Sequence, residues 1–268
     1  MKIESQQVAV ITGGGSGIGA ALARACALQG MQVVVADIDK GAADSIVAEL
    51  EMFDAKALAV QVDIADEGSV QALADITREA FGDCHLLCNN AGVCINRSFA
   101  DSTKADWDWV MSVNVMGTVN SLNAFLPGML KAGGARHIVN TASLTGLVAI
   151  EAVGSVYTAS KYALIGMSEI LQQELAQTEI GVTILCPGAV NTRILESERN
   201  RPDSSATAET APVPGGLDES FVRMIEPVDV AAMVLDAVRD NKLYVVTHPE
   251  WFPMIEQRVK LLESAFKD

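Results

Sequence analysis

Seven short apolar runs, each followed by a longer stretch of helical periodicity, constrain this chain more than any other feature. The runs are QVAVIT, MQVVVAD, AKALAVQVD, HLLCNN, ARHIVNTAS, GVTILCPG and KLYVVTH. A strand covered on both faces needs apolar side chains on both, so near-continuous β-branched runs belong to parallel sheets. Between them, apolar residues recur at helical spacing near residues 17–29, 40–51, 66–81, 104–131, 156–177 and 227–240, and a last helix is expected near 249–266. Strict alternation predicts an α/β fold with one doubly wound sheet flanked by helices. With 268 residues, half of them apolar, one large core is available, and a single domain over 1–268 is the expected organisation.

Nineteen basic against 34 acidic side chains give a net charge of -15, which opposes sequence-independent attraction to nucleic acid or anionic lipid. Cys26, Cys84, Cys88, Cys94 and Cys186 form no CxxC pair and no even-numbered framework, so they read as buried thiols in a reducing compartment, with no metal site. The start shows no leader pattern and no apolar run reaches a membrane-spanning length, which points to a cytoplasmic protein. One segment breaks the rhythm: Glu196 to Ser220 is rich in Ser, Thr, Ala, Pro and Gly without apolar period, and is expected to be a structureless insertion or a substrate lid within about 190–225.

After the first strand comes TGGGSGIG, Thr12 to Gly19. Glycines at 13, 17 and 19 permit a tight turn, close approach of backbone to a pyrophosphate and close packing of the next helix, whose N-terminus offers free N–H groups to an anion. Asp37, at the end of the second strand, stands where a carboxylate accepts hydrogen bonds from the adenosine ribose. It would repel a 2'-phosphate, and the neighbouring Ile38 and Ser16 are uncharged, so NAD is expected over NADP, with Lys40 the nearby cation that softens the preference.

Together with that turn, NNAG at 89–92, Asn114 in SVNVMG, Ser143 in NTASLTG, YTASK at 157–161 and PG at 187–188 resemble, in order and spacing, the short-chain dehydrogenase/reductase family. The resemblance covers almost the whole chain. It implies a Rossmann-type sheet of seven parallel strands, a homotetramer or homodimer built on the helices near 104–131 and 156–177, and a catalytic set of Asn114, Ser143, Tyr157 and Lys161. It also implies cofactor contacts from Gly13, Ser16, Gly17, Ile18, Gly19, Asp37, Ile38, Asp63, Ile64, Asn90, Ala91, Gly92, Tyr157, Lys161, Pro187, Gly188, Val190 and Thr192. Helix capping is the structural alternative for Asp63 and for Thr192, and strand-end bracing is the stronger reading of Asn89.

Tyr157 and Lys161 are four apart on a helix and share a face. A phenol with an ordinary pKa near 10 is a poor base at neutrality, but nearby positive charge favours its phenolate. Lowering it by about three units takes about 4 kcal/mol, much of which a close, partly desolvated ammonium can supply at an effective dielectric near 20, with oxidised nicotinamide adding more. By family analogy Tyr157 exchanges the proton of a substrate hydroxyl, Ser143 binds the same oxygen, Lys161 also holds the nicotinamide ribose and Asn114 places a water on a proton path.

Leu144, Leu147, Val148 and Val153 are expected to wall a pocket for a bulky, largely apolar secondary alcohol or ketone. Arg193, Arg199, Arg201 and Arg223, interspersed with Glu196, Glu198 and Glu209, read as a solvated charged face ahead of a carboxylate reader, with Glu151 a further charge beside the pocket. His85, His137 and His248 show no triad spacing and read as surface or strand-end residues. The tail resembles that of bacterial members acting on aryl or other large secondary alcohols. Alternatives are a 3-oxoacyl-type ketone reductase, a dinucleotide-binding regulatory protein without turnover, and an isomerase or lyase on the same cradle.

Overall fold

In the computed structural model, which describes residues 1–150, 153–202 and 223–267, seven parallel strands form one sheet in the order β3-β2-β1-β4-β5-β6-β7. The strands are β1 Val8–Thr12, β2 Gln32–Asp37, β3 Ala57–Gln61, β4 Leu86–Asn89, β5 Arg136–Thr141, β6 Ile180–Cys186 and β7 Tyr244–Val246. The helices joining them are α1 Gly17–Leu28, α2 Lys40–Glu51, α3 Glu67–Phe81, α4 Lys104–Met111, α5 Gly117–Ala132, α6 Ser155–Glu174 and α7 Pro227–Asp240, and α8 Phe252–Ala265 follows β7.

Alternate strand residues face opposite layers, and both layers are apolar, as the continuous runs require. Ile11, Val33, Val35, Leu86, Val139 and Leu185 meet Leu22 of α1, Ile46 of α2 and Val230 and Val234 of α7. Val10, Val34, Leu87, Ile138 and Val182 meet Leu73 of α3, Phe125 and Met129 of α5 and Leu171 of α6. A fully buried leucine such as Leu22 contributes roughly 1.5–3 kcal/mol.

Helix starts are chemically marked. The Asp39 carboxylate accepts from the Ala42 N–H, Asp66 from Ser69, and Thr103 forms a capping box with Asp106. α7 begins with Pro227, and Asn241 closes it in the left-handed region. The long helix expected over 104–131 is interrupted: Ser112–Met116 is a π turn that joins α4 to α5 and carries Asn114. An apolar period shows no such break, because the helix resumes on nearly the same face.

The segment from Glu196 is also more ordered at its start than expected: Ile194–Asn200 makes 3-10 turns with a kink at Glu196. The rest of the expected lid, residues 203–222 with Glu209, lies outside the described residues, as does Glu151. Among the described residues no helix is long and apolar enough to cross a membrane, and no His, Cys, Asp and Glu group could hold a metal. All five cysteines are free and buried.

Candidate active site

Strand order reverses between β1 and β4, and at such a switch point a crevice opens at the carboxyl ends of the strands. One cleft occupies this place, and most of the residues expected from the sequence line it.

The glycine turn forms its nucleotide-facing end. Gly13 and Gly17 take φ of +63° and +52°, which side chains with a Cβ rarely adopt. A Cβ on Gly19 would lie 2.0 Å from the Gly13 carbonyl oxygen, so Gly19 sits behind the cleft wall and lets α1 pack against the turn. Ser16 is extended and makes no side-chain cap on α1, and no acidic residue stands in the first helical turn. The helix therefore presents unpaired N–H groups to the cleft, as a dinucleotide pyrophosphate requires.

Asp37 closes the turn: its Oδ2 accepts from the Gly15 N–H at 2.8 Å and its Oδ1 from the Asp39 N–H at 3.0 Å. Each oxygen keeps capacity for a ribose hydroxyl. Ile38 is 40% exposed at the mouth, and Lys40, the cation that might have favoured a phosphate there, is paired with Asp44. These residues fit the adenosine end of a nicotinamide dinucleotide. Asp63 and Ile64 line the same side; Asp63 accepts from the Ala65 N–H at 2.9 Å, and the cap of α3 is Asp66, so the capping alternative for Asp63 is not realised. Thr192 caps no helix either; it lies over Gly17, where a Cβ would come within 3.0 Å of its methyl group.

Asn90 braces the floor. Its amide donates to the Thr12 and Gly13 carbonyls at 3.1 and 3.3 Å, while the Thr12 hydroxyl accepts from the Asn90 and Ala91 N–H groups at 3.0 and 3.1 Å. Asn89 is buried and donates to Asn140 at 2.9 Å, the strand-end role expected for it. Asn114 is also buried: Oδ1 accepts from the Val93 N–H at 2.8 Å and keeps one acceptor site, and Nδ2 donates to the Val93 carbonyl and the Ser160 hydroxyl at 2.9 Å each. It stands behind the cleft wall, across Gly92 from Lys161: a Cβ on Gly92 would be 3.2 Å from Asn114 Oδ1 and 3.5 Å from Lys161 Nζ.

Tyr157 and Lys161 share one face of α6 and both open on the cleft, with Lys161 Nζ 5.4 Å from the Tyr157 ring centroid. Lys161 is buried and donates to the Thr141 carbonyl at 2.9 Å. Ser143 lines the cleft beside Tyr157; its hydroxyl donates to the Pro187 carbonyl at 3.4 Å and accepts from the Thr145 N–H at 3.2 Å, with the Thr145 hydroxyl 3.0 Å away.

The electrostatics correct the expected ionisation. Burial pushes the Tyr157 phenol above its ordinary value, against the Ser143 hydrogen bond, and burial brings Lys161 down to about 8. Burial is the largest influence on both groups, and Lys161 Nζ donates to the Thr141 carbonyl, so in this structure the phenol is held in its neutral form.

Pro187, Gly188 and Val190 form the opposite rim. Thr247 and His248 fix it from below, in a relay absent from the sequence reading. The Gly188 N–H donates to the Thr247 hydroxyl at 3.0 Å, that hydroxyl lies 2.7 Å from His248 Nδ1, and His248 Nε2 lies 2.7 Å from the Arg223 carbonyl. His248 is fully buried, as is His137, which bonds Thr183; both take the strand-end arm of the expectation, His137 at the start of β5 and His248 just after β7.

The expected apolar wall is elsewhere. Leu144, Leu147, Val148 and Val153 pack with Ile150 against Trp251, Met254 and Ile255 from the C-terminal segment. The cleft is lined instead by Trp109, Val113, Ile194, Arg199, Asn200 and Pro202. The expected charged face also divides. Arg193 pairs with the exposed Glu196 at 2.8 Å, whereas Arg201 reaches the wholly buried Asp106 at 2.7 Å, Arg97 reaches it at 2.9 Å, and Glu198 bonds Arg97 at 3.1 Å. The one trace of this hub in the sequence is Thr103-x-x-Asp106, a capping-box spacing.

A parallel sheet with a glycine cradle, a ribose-facing carboxylate and a Ser, Tyr and Lys cluster at its switch point defines a dinucleotide-type oxidoreductase fold. The chain belongs to the short chain dehydrogenase family, whose model matches residues 7–203. It is 33% identical to the "CLA biosynthesis dehydrogenase/reductase" of Lactiplantibacillus plantarum over 97% of this chain and 94% of that protein. It is 34% identical to the "C alpha-dehydrogenase" of a Sphingobium strain over 93% of this chain and 83% of that one. A short chain dehydrogenase/reductase from Burkholderia phymatum, solved in complex with NAD, superposes with a TM-score of 0.92 at 37% identity, covering 99% of this chain and 97% of that one. The protein is accordingly an oxidoreductase acting on CH–OH groups.

Proposed function

We propose that the protein is an NAD-dependent dehydrogenase that interconverts a bulky, largely apolar secondary alcohol and its ketone. One observation carries the reading: Ser143, Tyr157 and Lys161, from two separate segments, open on the same cleft as the glycine turn and Asp37. The NAD-bound Burkholderia relative and the relative named for dehydrogenation at a C alpha agree with it. When bound, oxidised NAD supplies the hydride acceptor and a positively charged ring.

The residues divide the remaining work. Tyr157 takes the proton of the substrate hydroxyl on its phenolic oxygen and returns it in the reverse direction. Ser143, held from behind by Thr145, bonds the same substrate oxygen and fixes it near the phenol. Lys161 holds the nicotinamide ribose and, with the positively charged ring of oxidised NAD, adds positive charge on the side of Tyr157. Asn114 keeps Val93 and Ser160, and so Gly92 and the start of α6, at a fixed separation. Asp37 takes the adenosine ribose and disfavours a 2'-phosphate. Gly13, Ser16, Gly17 and Ile18 hold the pyrophosphate end, while Asn90, Ala91, Gly92, Pro187, Gly188, Val190 and Thr192 enclose the nicotinamide end.

The test is incubation with NAD and a panel of secondary alcohols, following reduced nicotinamide by absorbance. Turnover is expected with bulky members and is expected to fall by at least about a hundredfold in Tyr157→Phe, the scale of a lost general base, with the Kd for NAD little changed. Bound NAD without turnover of any alcohol or ketone would overturn the reading. For cofactor choice, Asp37→Ala should narrow the NAD-to-NADP ratio of kcat/KM by tenfold or more; equal use of both by the native protein sinks the preference.

A further inference from the structure

We infer that Trp109 is a specificity-determining wall that selects substrates carrying an aromatic ring. The inference rests on the oxidoreductase reading above and deepens it. Trp109 is half-buried on α4 and lines the cleft, five residues before Asn114. The Arg201 guanidinium lies 5.4 Å from its ring centroid. A cation over an indole face is attracted by the ring quadrupole, and the attraction strengthens where water is scarce.

That guanidinium is itself held. Arg201 Nη1 donates to Asp106 at 2.7 Å, and Arg97 Nη1 donates to both Asp106 oxygens at 3.0 and 2.9 Å. Asp106 is wholly buried and belongs to the same helix as Trp109, three residues upstream. The indole is therefore fixed from its own helix and from the Ile194–Asn200 turns, which Arg201 follows and which also line the cleft. An aromatic plate fixed before ligand arrives spends no side-chain entropy on binding, and it rewards a flat π surface over a saturated ring of similar size. A solvated charged face would need none of this burial.

The experiment compares two alcohols that differ in one ring, 1-phenylethanol and 1-cyclohexylethanol, each with saturating NAD. The native protein should prefer the aryl member in kcat/KM. Trp109→Leu should cut the aryl-to-cyclohexyl ratio about tenfold, mainly through KM, and Trp109→Phe should keep most of it. If the leucine variant does not fold by circular dichroism, Trp109→Met gives the same readout. A ratio unchanged in folded, active variants overturns the aromatic wall and leaves the oxidoreductase reading standing. Absence of turnover by the native protein with both alcohols and both ketones, although NAD binds and other members of the secondary-alcohol panel turn over, overturns this inference and leaves the proposed function standing.

Discussion

Replacing Asp106 by Asn should cost more stability than any surface substitution in this chain, and the size of the loss can be worked from the hub it occupies. The carboxylate is wholly buried, yet it accepts from the Thr103 N–H at 2.8 Å, from Arg97 at 3.0 and 2.9 Å and from Arg201 at 2.7 Å. Burial alone would push its pKa up; the Thr103 and arginine donors win and bring it from 3.8 down to about 2. At about 1.36 kcal/mol per pH unit, that interval favours the ionised form by about 2 kcal/mol. Asn forfeits this and leaves Arg201, 12% exposed, with only the more distant Glu198 at 3.8 Å as counter-charge, and breaking a buried pair costs about 3–5 kcal/mol. We take about 3 kcal/mol. At about 2–4 °C per kcal/mol for a chain of this size, Tm should fall by roughly 6–12 °C at pH 7.

Thermal unfolding followed by circular dichroism measures it, and the pH dependence supplies the sign. A carboxyl whose folded pKa is depressed contributes stability that is present above its ordinary value and lost as pH falls through the folded one. The Tm difference between native and Asp106→Asn protein should therefore narrow as pH drops from about 4 toward about 2. A variant within 2 °C of native at pH 7 would refute the hub as an energetic element.

Gly19→Ala places a Cβ 2.0 Å from the Gly13 carbonyl oxygen, so the turn must open; the Kd for NAD by titration calorimetry should rise at least tenfold while far-ultraviolet circular dichroism stays native. Lys161, brought down to about 8 by burial, gives the same slope as Asp106 in a different window: between about 8 and 10.5 the unfolded chain binds the extra proton, so native stability rises with pH there. Lys161→Met should be inactive, and its Tm relative to native should be highest below pH 8 and decline through that window; a flat difference from pH 7 to 10 would contradict a buried ammonium.

The elements that rest on local pattern were legible in the sequence. Continuous β-branched runs gave a sheet covered on both faces, TGGGSGIG gave the cradle, and the four-residue spacing of Tyr157 and Lys161 gave a shared helix face. What failed was long-range or energetic. Arg201 finds Asp106 across 95 residues, and no spacing rule announces that. Leu144 and Val148 were apolar as a pocket wall should be, but Trp251 claimed them for the core. The expected Tyr157 ionisation weighed attraction and left out desolvation, which only burial reveals.

The Thr247–His248 relay has a consequence for the order in which this enzyme becomes competent. The Pro187–Gly188 rim receives its N–H partner from a hydroxyl 59 residues downstream, which the short β7 delivers by adding to β6. During synthesis the Gly188 N–H thus has no Thr247 partner until β7 has emerged and docked, although the Leu144 N–H already holds the Pro187 carbonyl. A chain with its first six strands paired still holds an unfinished cleft rim, which is completed only when β7 docks beside β6.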